Sequence, residues 1–151
     1  MRKIIQLIPI IIILLLPEVS QAQCRDFAKT VGIAELDTSE YIHDGRYNAI
    51  KLKEGEEVQL YKTLHSGYEY RVVICGSNDL PDIPFQVLDF KRNVIYDSKE
   101  HKDAKHKYPR NWDFTSKSTQ RIIVSVKVPV IHQDDDKKQS GCVTVMFGFR
   151  K

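Results

Sequence analysis

The chain lacks the patterns that announce an enzyme. It has seven glycines in 151 residues, and none of them builds a glycine-rich phosphate loop. Ser66-Gly67 and Ser140-Gly141 place serines beside glycines, yet no G-x-S-x-G elbow occurs. Acid pairs such as Asp79/Asp82 and Asp89/Asp97 come without a pattern that would set two carboxylates across a cleft. Charge of one sign is not in excess: the net is +3, too little for the basic footprint of a nucleic-acid binder. There is no internal repeat and no low-complexity segment. These absences leave no cofactor, metal or catalytic residue to expect, and point toward a binding or accessory role.

One long apolar run is present, at the start. Arg2 and Lys3 precede Ile4 to Leu16, where only Gln6 and Pro9 interrupt the hydrophobic residues. Pro17 and Glu18 end the run, and Ser20-Gln21-Ala22 supplies small residues at a cleavage position. Residues 1–22 read as a secretory signal peptide, too short and wrongly flanked for a membrane span. The expectation is an exported protein, periplasmic or extracellular, with no membrane span after signal removal. Lipid anchoring at Cys24 is disfavoured, because Gln23 precedes it and the segment Pro17 to Gln23 separates it from the apolar run. Residues 23–151 then form a single domain with 21 basic and 19 acidic side chains, nearly neutral at +2.

Within that domain the apolar spacing changes once. Phe27, Ala28, Val31 and Ala34 recur at helical spacing, which predicts a short N-terminal helix over Arg25 to Leu36, weakened by Gly32. From Asn48 the period is two. Ile50 and Leu52, then Val58 and Leu60, flank Glu54-Gly55-Glu56 and read as a β-hairpin. Tyr68, Tyr70, Val72 and Ile74 share one face of the next strand. Phe85 to Phe90 is apolar on both faces, as in a central strand. Trp112 and Phe114, then Ile122, Val124, Val126 and Val128, then Val143, Val145, Phe147 and Phe149, mark three more. Pro129 stops the second of these. Seven or eight short strands behind one helix predict an all-β fold: an antiparallel β-sandwich, jelly-roll-like, with an immunoglobulin-like sandwich as the alternative.

Three cysteines in an exported chain allow one disulfide and leave one thiol. Alternation puts Cys75 and Cys142 on the outer faces of their strands. A helix covering that face would be stapled by Cys24–Cys75; Cys75–Cys142 is the alternative pairing. His101, Asp103 and His106 match no strong zinc spacing and sit among lysines. Asp134-Asp135-Asp136 lacks the spaced ligands and glycine of a calcium loop. The strongest binding signal is the basic segment Lys99 to Arg110 with nearby aromatics. Lys105, His106, Tyr108, Arg110 and Trp112 are its candidate contacts, through cations for charge and rings for stacking.

The blocks Tyr41-Ile42-His43-Asp44-Gly45-Arg46, Tyr68 to Cys75, Phe85-Gln86-Val87, Trp112-Asp113-Phe114, Gly141-Cys142-Val143 and Phe147-Gly148-Phe149 resemble a group of small exported bacterial β-sandwich proteins. A weaker similarity is to bacterial pre-peptidase C-terminal domains. Those resemblances carry over no site residue. The signal peptide, the single strand-rich domain and the lack of a catalytic constellation lead to the expectation of a non-enzymatic, exported binding or accessory module at the cell envelope, with a protein or glycan partner. The alternatives are a small secreted hydrolase and a structural subunit of an envelope assembly.

Overall fold

The computed structural model describes residues 19–105 and 107–151. Residues 1–18 of the expected signal peptide, and the candidate contact His106, lie outside the described residues. Among the described residues, helix α1 (Val19–Phe27), a π-helical turn (Ala28–Gly32) and α2 (Ile33–Leu36) lead into nine strands. These are β1 (Ile42–His43), β2 (Asn48–Lys53), β3 (Glu57–Leu64), β4 (Glu69–Gly76) and β5 (Phe85–Asp89), then β6 (Val94–Asp97), β7 (Asn111–Thr115), β8 (Gln120–Lys127) and β9 (Ser140–Arg150).

All pairings are antiparallel. One sheet runs β2-β9-β4-β7, with β1 beside the far end of β9; the other runs β3-β8-β5-β6. Consecutive strands change sheet at every step except β1–β2, which share β9, and β5–β6. That is the jelly-roll order of two interleaved Greek keys, and it excludes the immunoglobulin-like arrangement. It also corrects the β2–β3 hairpin. β2 pairs with β9 and β3 with β8, so Glu54-Gly55-Glu56 is a corner between sheets. The corner's backbone groups are satisfied from elsewhere: Gly55 N–H donates to Val128 O at 2.9 Å, and Glu54 N–H to Gln139 O at 3.0 Å. Period-two alternation is the same for a strand that turns back in its own sheet and for one that crosses to the other.

The alternation itself predicted the core. Val72, Val143, Val145 and Phe147 from one sheet meet Leu64, Val87, Ile122, Val124 and Val126 from the other. A second cluster lies outside the first sheet, where Val73, Cys75 and Met146 are covered by Ala28 and Leu36 of the helical segment. The buried helical stripe is Cys24, Ala28, Gly32 and Leu36, while Val31 and Ala34 face solvent. An α-helix would rotate a stripe spaced by four residues away from the sheet. The π turn inserts an extra residue and keeps it facing inward. Gly32 is not a weak point but a contact: a Cβ there would lie 3.0 Å from Met146 Cγ.

The bridge is Cys24–Cys142, with the Cα atoms 5.1 Å apart, and Cys75 is the free, buried thiol. Both pairings expected from sequence are therefore corrected. Cys75 and Cys142 do share the outer face. Strand order decides between them: α1 lies over β2 and β9 and α2 over β4 and β9, so the Cys24 end reaches the start of β9 rather than β4.

The end of the helical segment is clamped by charge. Arg71 donates through Nε and Nη2 to Asp113 at 2.7 Å each, holding that carboxyl below its ordinary range. The guanidiniums of Arg71 and Arg150 lie 4.2 and 4.7 Å from the Tyr41 ring centroid. The Tyr41 hydroxyl donates to Glu69 at 2.8 Å; burial first, and then this bond, push it up to about 12. Gly148 makes room beneath, since a Cβ there would lie 2.8 Å from Tyr41 Cβ and 2.9 Å from Leu36 Cδ1. Gly148→Ala is expected to cost about 1–3 kcal/mol of unfolding free energy by overpacking, measured by urea denaturation; an unchanged midpoint would show that the helix yields freely.

Candidate functional site

The two sheets differ in what covers them. The outer face of the β2-β9-β4-β7 sheet lies under the disulfide-stapled helical segment. The helical segment packs on β2, β4 and β9 and not on the β3-β8-β5-β6 sheet. Its side chains follow from register. Leu60, Val124, Val87 and Tyr96 sit opposite one another and point into the core. The next row, Tyr61, Ile123 and Leu88, is in register across three strands and points outward, and a bulge in the β5–β6 pairing between Val87 and Leu88 brings Val94 opposite Leu88.

This outward row is apolar. Tyr61 is 53 % exposed and Val94 55 %, and the β5–β6 hairpin adds Phe90 at 66 % and Ile95 at 46 %. Ile123 is buried between its strand neighbours, yet belongs to neither core cluster. Cations flank the row: Arg121 on β8, Lys91 and Arg92 at the hairpin. The nearest acids are occupied. Asp89 accepts from the side chain and backbone N–H of Asn93 at 2.8 and 2.9 Å. Glu57 accepts from Ser125 at 2.7 Å and Gln59 at 3.1 Å. Both carboxyls are held below their ordinary range by these bonds.

At the β3 edge the face runs into a depression of about 460 Å³ lined by Asp44, Arg46, Tyr61, Lys62, His65 and Arg121. Asp44 is tied to Lys62 and accepts the Arg46 N–H at 2.9 Å. Among the described residues neither Arg46 nor Arg121 has an ion-pair partner. An apolar centre with tyrosine and arginine at its margin is the composition of a protein-binding surface.

The contacts expected from the basic segment are dispersed. Trp112 stacks between Tyr96 and Phe114, at 4.8 and 4.1 Å between centroids, and seals the β6–β7 edge of the sandwich. Arg110 pairs with Glu35 of α2 at 2.9 Å. The Tyr108 N–H donates to Asp82 at 2.7 Å, and the Lys102 ammonium sits 4.8 Å from its ring. Lys105 is exposed, and its N–H donates to Asp103 at 2.8 Å. The sequence reading missed the β3-β8-β5-β6 face because Leu88, Val94 and Ile95 looked like ordinary strand interior. The surplus of apolar residues on both sides of Phe85 to Phe90 was its signal.

The groups that carry chemistry are structurally engaged. Burial, and next the Glu35 charge, push the Cys75 thiol up to about 12, which leaves it unreactive. His101 donates through Nδ1 to Asp97 O at 2.9 Å. Among the described residues no three His, Cys, Asp or Glu side chains converge to hold a metal.

No family model and no curated protein matches the chain. Solved structures do. PliG of Aeromonas hydrophila, a periplasmic inhibitor of g-type lysozyme, aligns over 70 % of this chain and 85 % of its own, with TM-score 0.48 and 10 % identity. PliG of Salmonella Typhimurium aligns over 70 % and 86 % with TM-score 0.42 and 10 % identity. A de novo designed double-stranded β-helix aligns over 70 % and 99 % with TM-score 0.31 and 10 % identity.

Proposed function

We propose that the chain is an exported binding module without a catalytic role, which docks an acidic protein partner at the cell envelope on the uncovered face of the β3-β8-β5-β6 sheet. The observation that carries this reading is the apolar surface of Tyr61, Phe90, Val94 and Ile95, exposed around the Ile123–Leu88 pair, beside arginines that have no ion-pair partner among the described residues. Monomeric proteins rarely leave such a patch without use, and the cations select for negative charge in the partner. The Cys24–Cys142 bridge supports residence in an oxidising compartment. Among the described residues no helix is long and apolar enough to cross a membrane.

The test is affinity capture from bacterial envelope extracts, with Phe90→Ser/Ile95→Ser and Arg92→Glu as surface variants and a glycan array in parallel. The wild-type domain is expected to retain one or a few acidic proteins, less as salt rises. Retention should fall at least about tenfold in the double variant, as for loss of two central contacts, with unchanged circular dichroism. Equal capture by wild type and variants, binding confined to the glycan array, or turnover in a hydrolase screen would each overturn it.

A further inference from the structure

A sandwich has two open edges. On one, the rings of Tyr96, Trp112 and Phe114 bridge the sheets in a stacked ladder. The other lies between β2 and β3, and among the described residues that line it there is no aromatic ring. The residues that meet there are Asn48 and Ile50 from β2 and Val58 and Leu60 from β3, over a floor of Val143 and Val145. They leave an apolar slot of about 210 Å³. Its floor belongs to the core: Val143 and Val145 are 1 % and 4 % exposed.

The slot runs toward charge. Along β3, Lys62 is the next same-face residue after Leu60, about 7 Å on. Along β9, Phe147 follows Val145, and the Lys62 ammonium sits 5.2 Å from its ring. On the other wall Arg46 lies two residues before Asn48. The depression holding Arg46, Lys62, His65 and Arg121 lies farther along the same β2–β3 edge; Arg121 reaches it from the outer face of β8, opposite Thr63, and Asp44 is the one carboxylate among its lining residues. One seam thus has an apolar end and a cationic end, separated by one residue repeat.

We infer that this seam binds a single-chain anionic amphiphile, a fatty-acid-like molecule. Its tail lies in the slot over Val143 and Val145, and its carboxylate meets Arg46 and Arg121. Charge complementarity selects this occupant. The slot alone would take any apolar chain, but Arg46 and Arg121 lack ion-pair partners among the described residues and are suited to a carboxylate. The seam shares Tyr61 and Arg121 with the margin of the proposed docking face, but Phe90 and Ile95 of that face do not line it. Phe90→Ser/Ile95→Ser, which removes protein docking, should therefore leave alkyl-carboxylate binding unchanged and keeps the two readings distinguishable.

The test is calorimetric titration of the folded domain with n-alkyl carboxylates from butyrate to tetradecanoate below their aggregation limits, with 1-alkanols of equal length for comparison. Affinity is expected to rise about three- to fourfold per added methylene, as for apolar burial, and to level off once the slot is filled. Carboxylates should bind at least about tenfold tighter than the matching alkanols, and Arg46→Gln/Arg121→Gln should erase that advantage while leaving the chain-length slope. Ile50→Glu, at a partly exposed position, should flatten the slope. Affinity independent of chain length, equal binding of alkanols and carboxylates, or a slope that survives Ile50→Glu would overturn the inference.

Discussion

Removing the Cys24–Cys142 bridge, by reduction or by Cys24→Ser/Cys142→Ser, is expected to lower the unfolding free energy by about 3–5 kcal/mol. The bridge joins residues 118 apart in sequence, so it closes nearly the whole domain into one loop. Opening that loop releases conformational entropy in the unfolded chain. Locally it frees the Cys24, Ala28, Gly32 and Leu36 stripe from its anchor on β9. Urea denaturation with and without reductant measures the first effect. Hydrogen exchange over residues 23–36 measures the second, and protection should fall there before it falls in β4 or β8. Cys75 should stay unreactive to a thiol reagent in the oxidised native protein, because it lies under the same helix. A loss below about 1 kcal/mol, or uniform loss of protection, would show that the helical segment is held by burial alone.

Glu54→Gln is expected to lower Tm by roughly 5–10 °C, an effect large for one side chain. The carboxylate has no solvent-exposed surface. It accepts from the backbone N–H of Ile131 and His132 at 2.9 Å each, from Gln139 at 3.1 Å, and from the His132 ring at 2.7 Å. One acceptor group thus gathers the 129–139 connection onto the β2–β3 corner. Burial alone would push this carboxyl up; the donors from His132, Gln139 and Ile131 outweigh it and hold it at about 2, against 4.5 ordinarily. A depressed native value stabilises above the unfolded value and is lost as pH falls. The contribution should be complete above about pH 4.5 and should disappear between about 4.5 and 2. Thermal melts across pH 2 to 7 should show a shallower acid slope in Glu54→Gln than in wild type, some slope remaining from Glu57, Glu69, Asp89, Asp113 and Asp135, which are also depressed. Identical slopes would assign the acid sensitivity to those groups instead.

Glu54 shows where sequence reading stops. Glu54-Gly55-Glu56 carries the composition of a turn, and a turn is what forms. Nothing in it reveals that one carboxylate faces inward and receives four donors from a segment some eighty residues later. The same holds for the candidate site. Alternation predicted that Tyr61 and Ile123 point away from Leu60 and Val124, but not that they sit opposite each other with Leu88 and Val94. The expected contacts at Arg110 and Trp112 went elsewhere for the same reason. Arg110 met Glu35 of a helix it is far from in sequence, and Trp112 met Tyr96 across the gap between sheets.

By itself the sequence determined which residues form strands, which face of each is apolar, and that a helix would cover one outer face. Those properties depend on the alternation of neighbouring side chains, a local matter of backbone geometry. Only the tertiary structure decided that consecutive strands cross between sheets, that Cys24 reaches Cys142, that one sheet stays bare, and that one edge closes with rings while the other opens into a slot. Each of those depends on which distant strands become neighbours, and the period of two is blind to partnership.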